Sequence, residues 1–153
     1  MAIDFVCCAD TALTVVECKK LLMRELGLTV STQKPNSWLI NEGTTVTVQN
    51  VADVFGRGRV EREIFGFNPR ITIEMRPVLS GPYSELGSQT IMKTVDSMLR
   101  NTDGDVGFSV ENERALLVRR DGVVYVRDNF VEHLRAENLE LITVPYQFKP
   151  LRP

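Results

Sequence analysis

Histidine, tryptophan and cysteine are scarce in this chain of 153 residues, which holds one His, one Trp and three Cys. Zinc sites draw on closely spaced Cys and His, and the sequence has neither a Cys-x-x-Cys pair nor a second histidine to accompany His133. Acid–base and nucleophilic catalysis need a base placed beside an acid or nucleophile, and few candidates are present. The three thiols, Cys7, Cys8 and Cys18, cannot all pair with one another, and adjacent Cys7 and Cys8 on a strand point to opposite faces. Free thiols in a reducing cytoplasm are the expectation. No window approaches the ~18 apolar residues that a membrane span needs. The opening Met1–Val6 carries an acid at Asp4 and no basic flank, so it does not read as a secretory signal. An excess of one charge is also missing: 18 basic and 20 acidic residues leave a formal charge of −2. That balance speaks against a dedicated nucleic-acid binder and against an acidic mimic of nucleic acid.

The rest of the composition is that of an ordinary globular protein, 43% apolar and 25% charged with 10 Gly and 7 Pro. A single domain over residues 1–153 is expected, with about 70% of the unfolded chain's surface buried.

Along the chain, Ile3–Cys8 reads as a strand. Thr14 and Glu17 fit a capping box ahead of a helix whose Val15, Cys18, Leu22 and Leu26 recur at helical spacing, with Gly27 at its end. Leu28–Thr32, Trp38–Ile40 and Thr44–Val48 read as a meander of three strands, separated by Lys34-Pro35-Asn36-Ser37 and by Asn41-Glu42-Gly43. Residues 50–69 alternate apolar residues with Gly56, Gly58, Gly66 and Pro69, and are read as a long connection with one turn of helix. The alternation over Arg70–Met75 predicts a half-buried strand. Ser84 is a plausible N-cap for a second helix carrying Leu86, Ile91, Met92, Val95, Met98 and Leu99 and running out at Asn101. Strands at Val106–Val110, Ala115–Arg119 and Val123–Val126 follow, the last two joined by the tight Arg120-Asp121-Gly122 turn. A short helix near Phe130–Ala136, capped by Asn129 and Glu132, and a strand at Leu139–Val144 complete the tail.

Residues 3–48 and 71–126 therefore share one order: strand, helix, three strands. The expected fold is α+β, two similar strand–helix–three-strand units forming a mainly antiparallel sheet packed by two helices, with a C-terminal helix and strand over 129–148.

Each candidate for chemistry has a plainer reading. His133 stands among Glu132, Arg135 and Glu137 on an amphipathic helix, as a surface histidine would. Cys7 and Cys8 carry no local signature of a nucleophile. Asp103-Gly104-Asp105 could reach one cation, but the longer ligand series of a calcium loop is missing and a helix-to-strand turn explains it. Arg57-Gly58-Arg59 with Arg62 and Arg70 is the basic cluster, countered by Glu61, Glu63 and Glu74 and without a phosphate loop. Arg119, Arg120 and Arg127 with Tyr125 read either as a solvated sheet face or as a recognition surface, because Arg and Tyr often anchor interfaces. Trp38 and Tyr83 fit hydrophobic cover as readily as recognition.

Several stretches together resemble the SitI immunity proteins of myxobacteria, specifically the third SitI group, whose relatives are spread among myxobacteria and actinobacteria. They are Phe65-Gly66-Phe67-Asn68-Pro69 with a strand ending in Arg76, then Gly104-Asp105, Glu113 and the run Leu116–Gly122. The opening strand into Ala9-Asp10-Thr11 and the closing Leu141–Phe148 are similar more loosely. Met75 and Pro77 depart from the family pattern. The resemblance implies a cytoplasmic protein without enzymatic activity that shields the producing cell from a polymorphic toxin exchanged by contact between kin. Its expected partner is the cognate toxin, with no cofactor, metal or nucleic acid, bound and blocked sterically. Asp103, Asp105, Arg119, Arg120 and Tyr125 form the expected partner-binding set. The alternative reading is a binding module without a toxin, using a cleft between the two similar halves.

Overall fold

Phe5–Ala9 forms β1, and all five of its residues are buried. The computed structural model describes residues 3–34, 38–54, 56–111, 113–128 and 136–151. The expected short helix beginning near Phe130, with Asn129, Glu132 and His133, lies outside the described residues.

Thr14 caps α1 (Val15–Leu26). Its hydroxyl accepts from the Glu17 N–H at 3.1 Å while the Glu17 carboxylate accepts from the Thr14 N–H at 3.1 Å. This reciprocal pair satisfies two of the donors that every helix start leaves open. Gly27 ends the helix in the left-handed region, at φ 70°. The meander follows as β2 (Thr29–Val30), β3 (Trp38–Asn41) and β4 (Thr44–Asn50). β2 is shorter than the sequence suggests because the Ser31 hydroxyl accepts from the N–H groups of Gln33 and Lys34, at 3.1 and 3.3 Å, and turns the chain away.

The largest departure lies in residues 57–65, expected as part of a long connection. They form a nine-residue helix, α2 (Arg57–Phe65), set between Gly56 and Gly66, both left-handed. The glycines that look like interruptions in the sequence are its two ends. Next come β5 (Ile71–Pro77), α3 (Ser84–Asn101), β6 (Val106–Val110), β7 (Arg114–Arg120) and β8 (Val123–Arg127). Ser84 is the first helical residue of α3 and not its cap; its hydroxyl donates to the Gly81 carbonyl at 3.0 Å. In the tail, Ala136–Leu141 is a 3-10 helix and the strand lies later, as β9 (Gln147–Lys149). The cause is Asp96 of α3, whose carboxylate accepts from both the N–H and the hydroxyl of Thr143, at 2.8 and 2.9 Å. The expected strand at Leu139–Val144 is thereby tied to a helix.

The nine strands form one sheet in the order β2-β3-β4-β5-β1-β6-β7-β8-β9. Every neighbouring pair is antiparallel except β8 and β9. The two halves interleave: β5 of the second lies between β4 and β1 of the first, and β1 lies between β5 and β6. The halves are therefore joined strand to strand by hydrogen-bonded ladders. Element order matches in the two halves, yet their meanders run in opposite senses: after α1 the chain starts at the edge with β2 and works inward, whereas after α3 it enters beside β1 and works outward.

Strand alternation sorts the residues onto two faces. Phe5, Cys7, Ala9, Ile71, Ile73, Met75, Val106 and Phe108 meet α1 and α3 in the main core. Cys8, Ala115 and Val118 point the other way and meet α2 through Ile64 and Phe65. The Phe65 ring lies directly on β6, where a Cβ at Gly107 would stand 2.6 Å from it.

Candidate functional site

Arg119 and Arg120 are neighbours on β7 and therefore face opposite sides of the sheet. Arg119 turns inward and is 8% exposed. Its guanidinium donates to the carbonyls of Leu99 at 2.6 Å, Thr102 at 2.7 Å and Gly104 at 2.7 Å, and to the Thr102 hydroxyl at 3.0 Å. These carbonyls belong to the C-terminal end of α3 and the turn after it, where a helix leaves acceptors unmatched. Burial pulls the Arg119 pKa below its ordinary value. The structure thus places Arg119 as an internal staple between β7 and the end of α3.

Arg120 faces the α2 side. Its Nη1 donates to the Phe65 carbonyl at 2.8 Å, and its Nε stands 3.4 Å from the Asp105 carboxylate. It borders a cleft of about 440 Å³ whose floor is Ala115 and Val118 and whose walls are Phe65 of α2, Tyr125 of β8 and the segment Lys149–Leu151. The Lys149 ammonium lies 4.7 Å from the Tyr125 ring centroid, a cation–π distance. Arg127 holds the far wall, donating to the Ala115 carbonyl at 2.6 Å and to the Leu151 carbonyl. Asp103 is exposed in the turn that also carries Asp105. Of the expected residues, Arg120 and Tyr125 line one cleft and Asp105 stands against Arg120, while Asp103 lies two residues before Asp105 and outside that lining. Lys149 and Leu151 complete the cleft through the parallel β8–β9 pairing, and nothing local in the sequence announces them.

The arrangement offers an apolar floor, two aromatic rings, Phe65 and Tyr125, two cations, Arg120 and Lys149, and one acid in the lining, Asp121, with Asp105 holding Arg120. That is a surface for gripping a side chain, with the charge pattern setting which one.

Elsewhere, a thiol and a carboxylate do meet. Glu61 of α2 is 1% exposed, accepts from the Thr72 hydroxyl at 3.1 Å and hydrogen-bonds with Cys8. Burial, with Glu61 beside it, pushes the Cys8 thiol well above its ordinary value. Burial likewise raises Cys7, and pushes Cys18 up to about 12. A nucleophilic cysteine needs the opposite, a lowered pKa and access to solvent. All three thiols are free and buried. Among the described residues no group of His, Cys, Asp and Glu is placed to hold a metal ion, Asp103 and Asp105 included. Trp38 is half-buried on β3, with the Lys34 ammonium 5.0 Å from its ring, and Tyr83 is exposed just ahead of α3.

What the fold and this site define is an α+β protein with a preformed cleft on the less covered face of an open sheet. The family model described as SitI3-like matches residues 3–133, and the chain belongs to that family. Membership points to a toxin immunity protein. The Lys149–Leu151 wall lies beyond the matched span. No curated protein and no solved structure matches the chain.

Proposed function

We propose that this chain is a cytoplasmic immunity protein that binds a cognate polymorphic toxin and neutralises it by steric blocking, making and breaking no bonds itself. Membership of the SitI3-like family is the observation that carries this reading. The cleft supports it, because its walls are held by Arg120, Arg127 and the β8–β9 pairing before any partner arrives. Preorganisation of this kind reduces the entropy lost on association. The raised, buried thiols support the non-catalytic part.

In this reading Tyr125 and Arg120 are the anchors, and Asp103, Asp105 and Lys149 tune which toxin is accepted. The test is co-expression with the toxin encoded beside the gene. Rescue of growth, together with co-purification of the two proteins in equal amounts, is the expected result. Toxicity that persists with no complex recovered would overturn the proposal.

A further inference from the structure

Residues 136–151 cross from one face of the sheet to the other. Leu139 and Ile142 are buried in the main core with α1 and α3, and Val144 and Tyr146 pack against it. β9 then runs along the outer edge of β8, with Gln147 opposite Tyr125 and Lys149 opposite Arg127. Beyond it Leu151 is buried with Ile64, Phe65 and Val118 on the α2 side. A strand sends successive side chains to opposite faces, which lets so short a segment serve both. Phe148 accordingly meets Tyr146, ring centroids 5.7 Å apart, while Lys149 lies over Tyr125 in the cleft.

The segment is fastened on each face. On the α2 side Arg127 donates to the Leu151 carbonyl. On the α3 side the fastening is Asp96, which is buried. Its Oδ1 accepts from both the N–H and the hydroxyl of Thr143, at 2.8 and 2.9 Å. Its Oδ2 accepts from Arg100 Nε at 2.8 Å, which fixes how the carboxylate points. Bonds to an ionised acceptor are stronger than neutral ones. β9 itself has three residues, all exposed, and among the described residues its one strand neighbour is β8. A two-stranded parallel contact of that length holds little by itself. The place of Lys149 therefore depends on the fastenings either side of it.

We propose that Asp96 is a positioning residue for the Arg120–Tyr125 cleft: by holding Thr143 on the opposite face of the sheet, it sets where Lys149 and Leu151 stand beside Tyr125. A wall held in advance lowers the ordering cost of binding. The toxin enters only in the last measurement below, which rests on the immunity reading.

The experiment uses the full chain with Asp96→Ala, with the milder Thr143→Val, which keeps the N–H bond and removes the hydroxyl donor, and with Lys93→Glu, an exposed change on α3, as the comparison. In the free protein, proton NMR reads the Lys149 methylenes, shifted upfield by the Tyr125 ring and assigned by the loss of that shift in Tyr125→Leu. Hydrogen exchange reads β9 against β1. In Asp96→Ala the Lys149 shift should collapse to that of an exposed lysine, and exchange in residues 147–149 should quicken roughly tenfold with β1 unchanged. Thr143→Val should move both part-way, and Lys93→Glu neither. A merely structural role would quicken β1 and β9 together. That outcome, or a Lys149 shift unmoved in both Asp96→Ala and Thr143→Val, would overturn the proposal. Against the toxin encoded beside the gene, Asp96→Ala should weaken binding roughly tenfold and add nothing further in a Lys149→Ala/Leu151→Ala background; full additivity would also overturn it. Wild-type protein that captures no toxin defeats the immunity reading and leaves the positioning claim to be decided by the NMR and exchange results.

Discussion

Arg119 and Arg120 differ by one position on β7 and by almost everything else. The first spends its donors on four acceptors at the end of α3; the second keeps one side toward solvent. Arg119→Ala strands those buried acceptors and is expected to cost about 2–4 kcal/mol in urea unfolding, with Arg119→Lys recovering little because an ammonium cannot span them. Arg120→Ala should cost under about 1 kcal/mol in the same experiment while weakening toxin binding. A larger loss from Arg120→Ala than from Arg119→Ala would refute the assignment. The thiols give a pH signature. Cys18 is raised from 9.0 to about 12, so the folded state holds its proton where the unfolded state releases it. Stability from this group is complete below pH 9.0 and declines between that value and about 12, at up to about 1.4 kcal/mol per pH unit. Comparing wild type with Cys18→Ala over that range should show a flatter decline in the variant.

α2 shows where sequence patterning gives out. α1 and α3 declare themselves by apolar spacing and α1 by its cap, and the β7–β8 hairpin by Asp121 and Gly122, which adopt φ 51° and 80° as a tight turn requires. In α2 a buried position is occupied by Glu61, which breaks the apolar stripe, and glycines stand at both ends. Only the packing against Cys8 and Thr72 makes a glutamate acceptable there. The tail fails for a related reason: Asp96 and Thr143 are 47 residues apart, and no local signal links them. The same holds for the candidate site, whose Arg120 and Tyr125 were legible as interface types while Lys149 and Leu151 arrive by long-range pairing. Gly66 tests the end of α2. It sits at φ 80°, and a Cβ there would stand 2.7 Å from Arg120 Nη1. Gly66→Ala should cost about 1–2 kcal/mol in thermal or urea unfolding and disturb the Arg120 side of the cleft. An unchanged midpoint would contradict that placement.

Across the fold, the two faces of the sheet have different work. One is covered by α1 and α3 and holds the main core; the other carries α2, with a cleft on each flank. Among the described residues no helix is long and apolar enough to cross a membrane. The central claim is that the α2-bearing face grips a protein toxin through surfaces already in place. Hydrogen exchange on the free protein and on its complex with the toxin encoded beside its gene tests this most directly. The account predicts slowed exchange concentrated in residues 57–70 and 114–127, with the α1–α3 face unchanged; protection confined to α1 and α3, or none in a saturated mixture, would contradict it.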